Sequence, residues 1–158
     1  NFALGEKNSI EYINIPYIKF FSFFKFDLSA YSAISSSKNP IYEINKSLKT
    51  IFFYKKIKNR RLKVKIKKLD NFKIKADVIK LDVEGHEDQV INGAKKTIRT
   101  HKPILYIERP SKNIINVLKK MKYEIYVFND RKNSFIRVNK ILQKHRNYYF
   151  FNNKEKIF

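Results

Sequence analysis

The chain has no cysteine and no tryptophan, and it carries one methionine and three glycines among 158 residues. Without cysteine, neither a disulfide framework nor a thiolate metal site can form, and a cytoplasmic setting is expected. With only Gly5, Gly85 and Gly93, there is no glycine-rich turn of the kind that cradles a nucleotide, because such a turn needs several glycines close together. Nor does any acidic residue follow such a turn on a second strand, where it would hold ribose hydroxyls. Long apolar runs are also lacking. The longest, around Tyr17 to Phe26, is interrupted by Lys19, Ser22 and Lys25 and falls short of the roughly 20 residues that span a bilayer.

Acidic residues are few. Against 14 Asp and Glu stand 35 Lys and Arg, a net charge of +21. A surface of that sign attracts phosphate with little regard to sequence, which keeps a non-catalytic binding module for an anionic glycan, a membrane surface or nucleic acid in view as the second reading. Two features weigh against specific nucleic-acid recognition. Lys far exceeds Arg while Asn, Ile, Phe and Tyr are abundant, the set favoured by AT-rich codons, and the cations are scattered along the chain. His86, His101 and His145 are too far apart for a ligand spacing, and no metal is expected.

Length and a hydrophobic content of 43% suit one domain. Ser9 to Ile15 alternates apolar and polar residues up to Pro16 and reads as a strand. Pro16 to Tyr31 is aromatic-rich without a clean period, leaving helix and irregular lid both open, and Ser32 to Pro40 reads as a polar loop. Leu62, Val64 and Ile66 alternate with basic residues, the pattern of a strand with one solvated face. Val78 to Val83 is a short branched apolar run, suited to a buried parallel strand. From Glu87 the period becomes helical: Val90, Ile91, Ala94 and Ile98 share a face, which predicts a helix to about Thr100. Ile104 to Glu108 reads as the next strand. Pro110 and Ser111 then introduce an amphipathic helix with Ile114, Ile115, Leu118 and Met121. Strands are predicted at Tyr123 to Phe128, Ser134 to Val138 and Tyr148 to Phe151, with a turn at Asn129 to Asn133. Strand, helix, strand, helix, strand is the order of an α/β fold with parallel neighbours.

The segment that points to chemistry is Val78-Ile79-Lys80-Leu81-Asp82-Val83-Glu84-Gly85-His86-Glu87. Alternation places Ile79, Leu81 and Val83 on one face and Lys80, Asp82 and Glu84 on the other. If that strand is buried, three charges on one face need compensation. Open α/β sheets bind ligands beyond the carboxyl ends of their strands, where Asp82, Glu84 and, on the next strand, Glu108 are expected, with Lys80 as an ion-pair partner deeper in the sheet. An ion-pair network that merely ties the strand to its neighbours explains the same spacing. Glu87 is expected to serve the helix N-terminus.

Ile79 to Glu87, then Val90-Ile91-Asn92-Gly93-Ala94, then Lys102-Pro103-Ile104-Leu105-Tyr106-Ile107-Glu108, together resemble the signature of FkbM-type methyltransferases. Asn1 to Gly5 is similar to the segment after the family's third strand, and Leu69-Asp70-Asn71-Phe72 to the turn before the signature strand. The resemblance implies the C-terminal part of a Rossmann-like class I methyltransferase sheet, mostly parallel with an antiparallel final strand, its N-terminal cofactor-binding strands lying outside the chain. It also implies transfer of a methyl group from S-adenosylmethionine to a hydroxyl of a sugar or secondary metabolite. Asp82 and Glu84 would then be catalytic, with Asp82 also facing the cofactor, while Glu108 and Lys80 would lie on the substrate side. Lys122 stands where the family commonly has glycine.

Overall fold

The computed structural model describes residues 2–20, 24–27, 33–34, 57–83, 85–142 and 144–152. Among these, ten strands and three α-helices form two compact units, one of Asn1–Ala3 with Asn8–Ile66, the other of Leu4–Lys7 with Lys67–Phe158.

The first unit is built on a long antiparallel ladder. Strands β1 (Phe2–Leu4), β2 (Ser9–Phe20), β3 (Phe24–Asp27), β4 (Ala33–Ile34) and β5 (Ile57–Lys67) form one sheet in the order β1-β5-β2-β3, with β4 also on β2. β2 pairs antiparallel with β5 over ten positions, from Ser9 opposite Ile66 to Ile18 opposite Ile57. The strand does not stop at Pro16, which faces Asn59 within the ladder. Proline is tolerated where its nitrogen has no hydrogen bond to donate, so pairing resumes beyond it. The aromatic segment, for which helix or lid was open, is strand over its described parts, Pro16–Phe20 and Phe24–Asp27. Ala33 and Ile34 add a two-residue strand to the expected loop, and the rest of both segments lies outside the described residues.

The second unit holds the core. Its strands are β6 (Val78–Leu81), β7 (Ile104–Glu108), β8 (Glu124–Asn129), β9 (Ser134–Val138) and β10 (Asn147–Phe151), in the order β6-β7-β10-β8-β9. The β6–β7 pair is parallel and the other three pairs are antiparallel. The last strand is antiparallel, as expected, but the sheet is mixed and not mostly parallel. The reason is topological: β10 inserts between β7 and β8, and β9 returns along β8 through the Asp130–Asn133 turn. Because β10 opposes both neighbours, β6, β7 and β8 point the same way and their carboxyl ends share one edge.

Alternation along these strands creates two unlike faces. On one, Leu81, Leu105, Ile107, Ile125, Val127, Tyr148 and Phe150 pack with Val90, Ile91, Ile98, Ile114 and Leu118 of the helices. Full burial of each such side chain contributes about 1.5–3 kcal/mol. On the other, Tyr106 stacks on Tyr149 at 4.8 Å, and Phe135 meets Tyr149, Phe128 and Phe151 edge-on at 4.8 to 5.2 Å. Such pairs add about 0.5–1.5 kcal/mol beyond their area.

The single helix expected from Glu87 to Thr100 is two: α1 (Glu87–Gly93) and α2 (Lys95–His101), broken at Ala94. A Cβ on Gly93 would lie 1.9 Å from the Gly5 carbonyl oxygen, so the chain after β1 passes where only glycine leaves room. The new N-terminus at α2 has no local side-chain cap. Asp70, in a 3-10 turn at Leu69–Phe72, replaces one: its carboxylate accepts from the Lys96 and Thr97 amides at 3.0 and 2.8 Å. The third helix, α3 (Lys112–Lys120), starts as expected at Ser111, whose hydroxyl accepts from the Ile114 amide at 3.1 Å.

Candidate functional site

The carboxyl edge of β6 and β7 gathers most of the residues singled out by the sequence. β6 ends at Leu81, opposite Ile107; one step further along the same parallel register, Asp82 comes beside Glu108. Lys80 Nζ lies 3.2 Å from Asp82 Oδ2, and 6.0 Å from the centre of the Tyr106 ring. The expected ion pair therefore exists, but its setting differs. The Lys80 and Asp82 side chains are 61% and 42% exposed, so the charged face of β6 is solvated and the supposed burial cost does not arise. A pair this open contributes at most about 1 kcal/mol. Glu84 lies outside the described residues.

Glu108 is held from another direction. Its Oε1 accepts from Arg146 Nε at 3.1 Å and Nη2 at 2.6 Å, with Arg109 Nε at 3.8 Å. The Arg109 amide donates to the Arg146 carbonyl at 2.7 Å, extending the β7–β10 ladder one step. Arg146 is 38 residues from Glu108 in sequence, and no local pattern links the two. The same is true of Tyr106 and Tyr149, whose stacked rings lie half-buried next to Lys80 on the aromatic face. Burial raises the Tyr149 pKa above the ordinary tyrosine range, with Tyr106 and Asp130 adding to the shift.

The loop after Asp82 is closed from the helix side. Glu87 Oε1 accepts from the Val83 and Gly85 amides at 3.3 and 3.1 Å, and Gly85 takes a φ of 89°, a conformation open to glycine at little cost. Glu87 thus braces the turn that presents Asp82. Asp88, beside it, accepts from Ser111 Oγ at 3.0 Å and Asn113 Nδ2 at 2.7 Å, fixing α1 to the start of α3. His86 is buried as the residue before α1. Among the described residues no group of His, Asp and Glu is arranged to hold a metal.

A cleft of about 240 Å³ lies elsewhere, lined by Ile98, Arg99, Lys102, Lys120, Met121 and Lys122. These residues close α2 and α3 and precede β7 and β8, so the cleft is at the amino end of the sheet, remote from Asp82 and Glu108. No helix among the described residues is long and apolar enough to cross a membrane.

Helices laid on a mixed sheet, with carboxylates at the shared strand edge, define an α/β protein whose polar site is at the carboxyl ends of its strands. Residues 1–150 match the family model of the methyltransferase FkbM domain, and the chain belongs to that family. It is similar to the crystal structure of methyltransferase FkbM from Methylobacillus flagellatus KT, at 18% identity and a TM-score of 0.39, covering 71% of this chain and 33% of that one. The chain thus spans about a third of that structure's length. No curated protein matches it.

Proposed function

We propose that the protein is an S-adenosylmethionine-dependent O-methyltransferase, acting on a hydroxyl of a sugar or other secondary metabolite through the β6–β7 edge of a Rossmann-like domain. Membership of the FkbM family supports this reading most directly. The residue argument supports it from a second side: Asp82 is a solvent-reachable carboxylate at a strand end, braced by the Glu87-closed turn, and a carboxylate accepts hydrogen bonds without donating any.

The described residues suit the acceptor half of such a site better than the donor half. Each glycine is already engaged: Gly5 against Gly93, and Gly85 in its bond to Glu87. None leaves an open turn for a nucleoside, and apart from Asp82 no contact to the donor is assigned to this chain. When bound, the donor supplies an electrophilic methyl group on a sulfonium. The chain's part is to hold the acceptor. Asp82 would accept the hydrogen bond of the acceptor hydroxyl and take its proton as the oxygen becomes alkylated, while alignment of that oxygen supplies much of the rate. Glu84 would share this role. Lys80 offers a donor to a neighbouring acceptor oxygen, and Glu108, locked by Arg146, would present its remaining oxygen to the substrate. The Tyr106–Tyr149 stack offers a half-buried surface for the apolar face of a sugar ring.

The test supplies native protein with donor labelled with carbon-13 in the methyl group and a small-molecule extract of the source cells. A labelled methyl ether, identified by NMR, supports the reading. Label recovered only on nitrogen or carbon, or no transfer at all, rejects it.

A further inference from the structure

The sheet of the first unit has a face that the methyl-transfer reading leaves unused. Along β5, side chains of alternate residues share a face, which groups Arg61, Lys63 and Lys65. Their antiparallel partners on β2 are Asn14, Tyr12 and Ile10. All three cations are exposed, and Ile10 and Tyr12 are 56% and 41% exposed. Glu11 falls on the opposite face, with Ile13, Val64 and Ile66. The result is a row of three like charges over about 13 Å, with no carboxylate among these cross-strand positions and with apolar side chains set directly opposite two of the cations. Neither Lys63 nor Lys65 has an ion pair among the described residues. Arg61 lies over the Tyr12 ring at 4.5 Å from its centre.

We infer that this face docks on an anionic lipid surface, the three cations meeting headgroups while Ile10 and Tyr12 enter the interfacial layer. Charge complementarity motivates the partner: like charges in a row on a rigid ladder repel one another, and a negatively charged plane relieves all three together. The apolar residues decide between polyanions. An exposed Ile beside lysines matches the composition of interfacial segments. A nucleic acid would instead use the Tyr12 ring as a stacking surface, and the Arg61 guanidinium covers one side of that ring.

The experiment is sedimentation of the whole protein with vesicles of phosphatidylcholine, alone or with phosphatidylserine. Each cation near such a surface contributes about 1 kcal/mol, or about fivefold in partitioning. Binding is expected only with phosphatidylserine, falling with salt. Lys63→Gln with Lys65→Gln should lower it about 25-fold, and Ile10→Ser with Tyr12→Ser several-fold, with unchanged thermal midpoints. Lys112→Gln with Lys144→Gln removes the same charge from exposed positions of the second unit and should change it little. Four results would overturn the inference: equal loss in both charge-neutralised pairs, which leaves only net charge; equal binding to neutral vesicles; no binding to either kind; and tight binding of a single-stranded RNA oligonucleotide that Lys63→Gln with Lys65→Gln abolishes while vesicle binding persists.

Discussion

Lys122 holds a φ of 64° just past α3, in the left-handed region that costs an L-residue about 1–2 kcal/mol. Glycine would adopt the same backbone at little cost. Lys122→Gly should therefore raise stability by about 0.5–1 kcal/mol, the strain relieved exceeding the added freedom of the unfolded chain; a denaturant melt with unchanged slope would measure it, and a loss of stability would contradict the strain argument. Gly93 is the opposite case. Gly93→Ala drives a methyl group into the Gly5 carbonyl and should cost at least about 1–3 kcal/mol, as overpacking does. The three glycines could be counted from sequence, but the reason for Gly93 could not. It depends on a backbone segment 88 residues away, reckoned from Gly93 and Gly5, and no local pattern carries that information.

Most elements of the second unit, and β5 of the first, were legible from period, composition or a start signal. The alternation in β5 and in Val78 to Leu81, the branched run of β7, and the Ser111 start of α3 are all visible in composition and spacing. Besides the run of β2 through Pro16 and the strands at Phe24–Asp27 and Ala33–Ile34, three things were not. Periodicity gives a strand's faces but not its partners, so the insertion of antiparallel β10 between β7 and β8 was missed and the sheet was expected to be mostly parallel. The helix break at Ala94 keeps the apolar spacing of Val90, Ile91 and Ile98 on both sides, so no change of period marks it. Its cap comes from Asp70, 26 residues before Lys96. Asp70→Ala should cost about 1–2 kcal/mol, in the upper range for a helix cap because two amides lose their acceptor; Asp70→Asn, which keeps an oxygen, should recover part of it. A cost within experimental error for Asp70→Ala would show that α2 does not rely on this cap.

At the scale of the whole molecule, the site residues were readable as types and positions but not as an environment. Asp82 and Glu108 do share one edge, as strand-end reasoning predicts, yet Lys80 and Asp82 are solvated, and Arg146 holds Glu108 through a strand that no motif connects to it. The core also fixes how the molecule responds to alkali. Tyr123 is buried, its hydroxyl donates to the Pro103 carbonyl at 2.9 Å, and desolvation pushes its pKa well above the usual tyrosine range. A folded-state pKa raised above the unfolded value means that the contribution is complete below about pH 10 and is lost as pH climbs from there towards the folded value. Wild-type stability should thus fall more steeply above pH 10 than that of Tyr123→Phe, although the variant loses about 1 kcal/mol at neutral pH with the hydrogen bond. Parallel curves in guanidinium titrations at several pH values would contradict this.

In the proposed O-methyltransferase, the carboxyl edge of β6 would carry the chemistry through Asp82. That role is checked by the rate of methyl transfer from labelled S-adenosylmethionine by native protein and by Asp82→Asn, with the thermal midpoint of each recorded alongside. A base at Asp82 should leave the variant about 10²–10⁴-fold slower, the usual contribution of a positioned base, with the midpoint unmoved because the side chain is exposed and its ion pair with Lys80 is worth little. Equal rates in the two proteins would contradict it, and would move the chemistry away from this strand end.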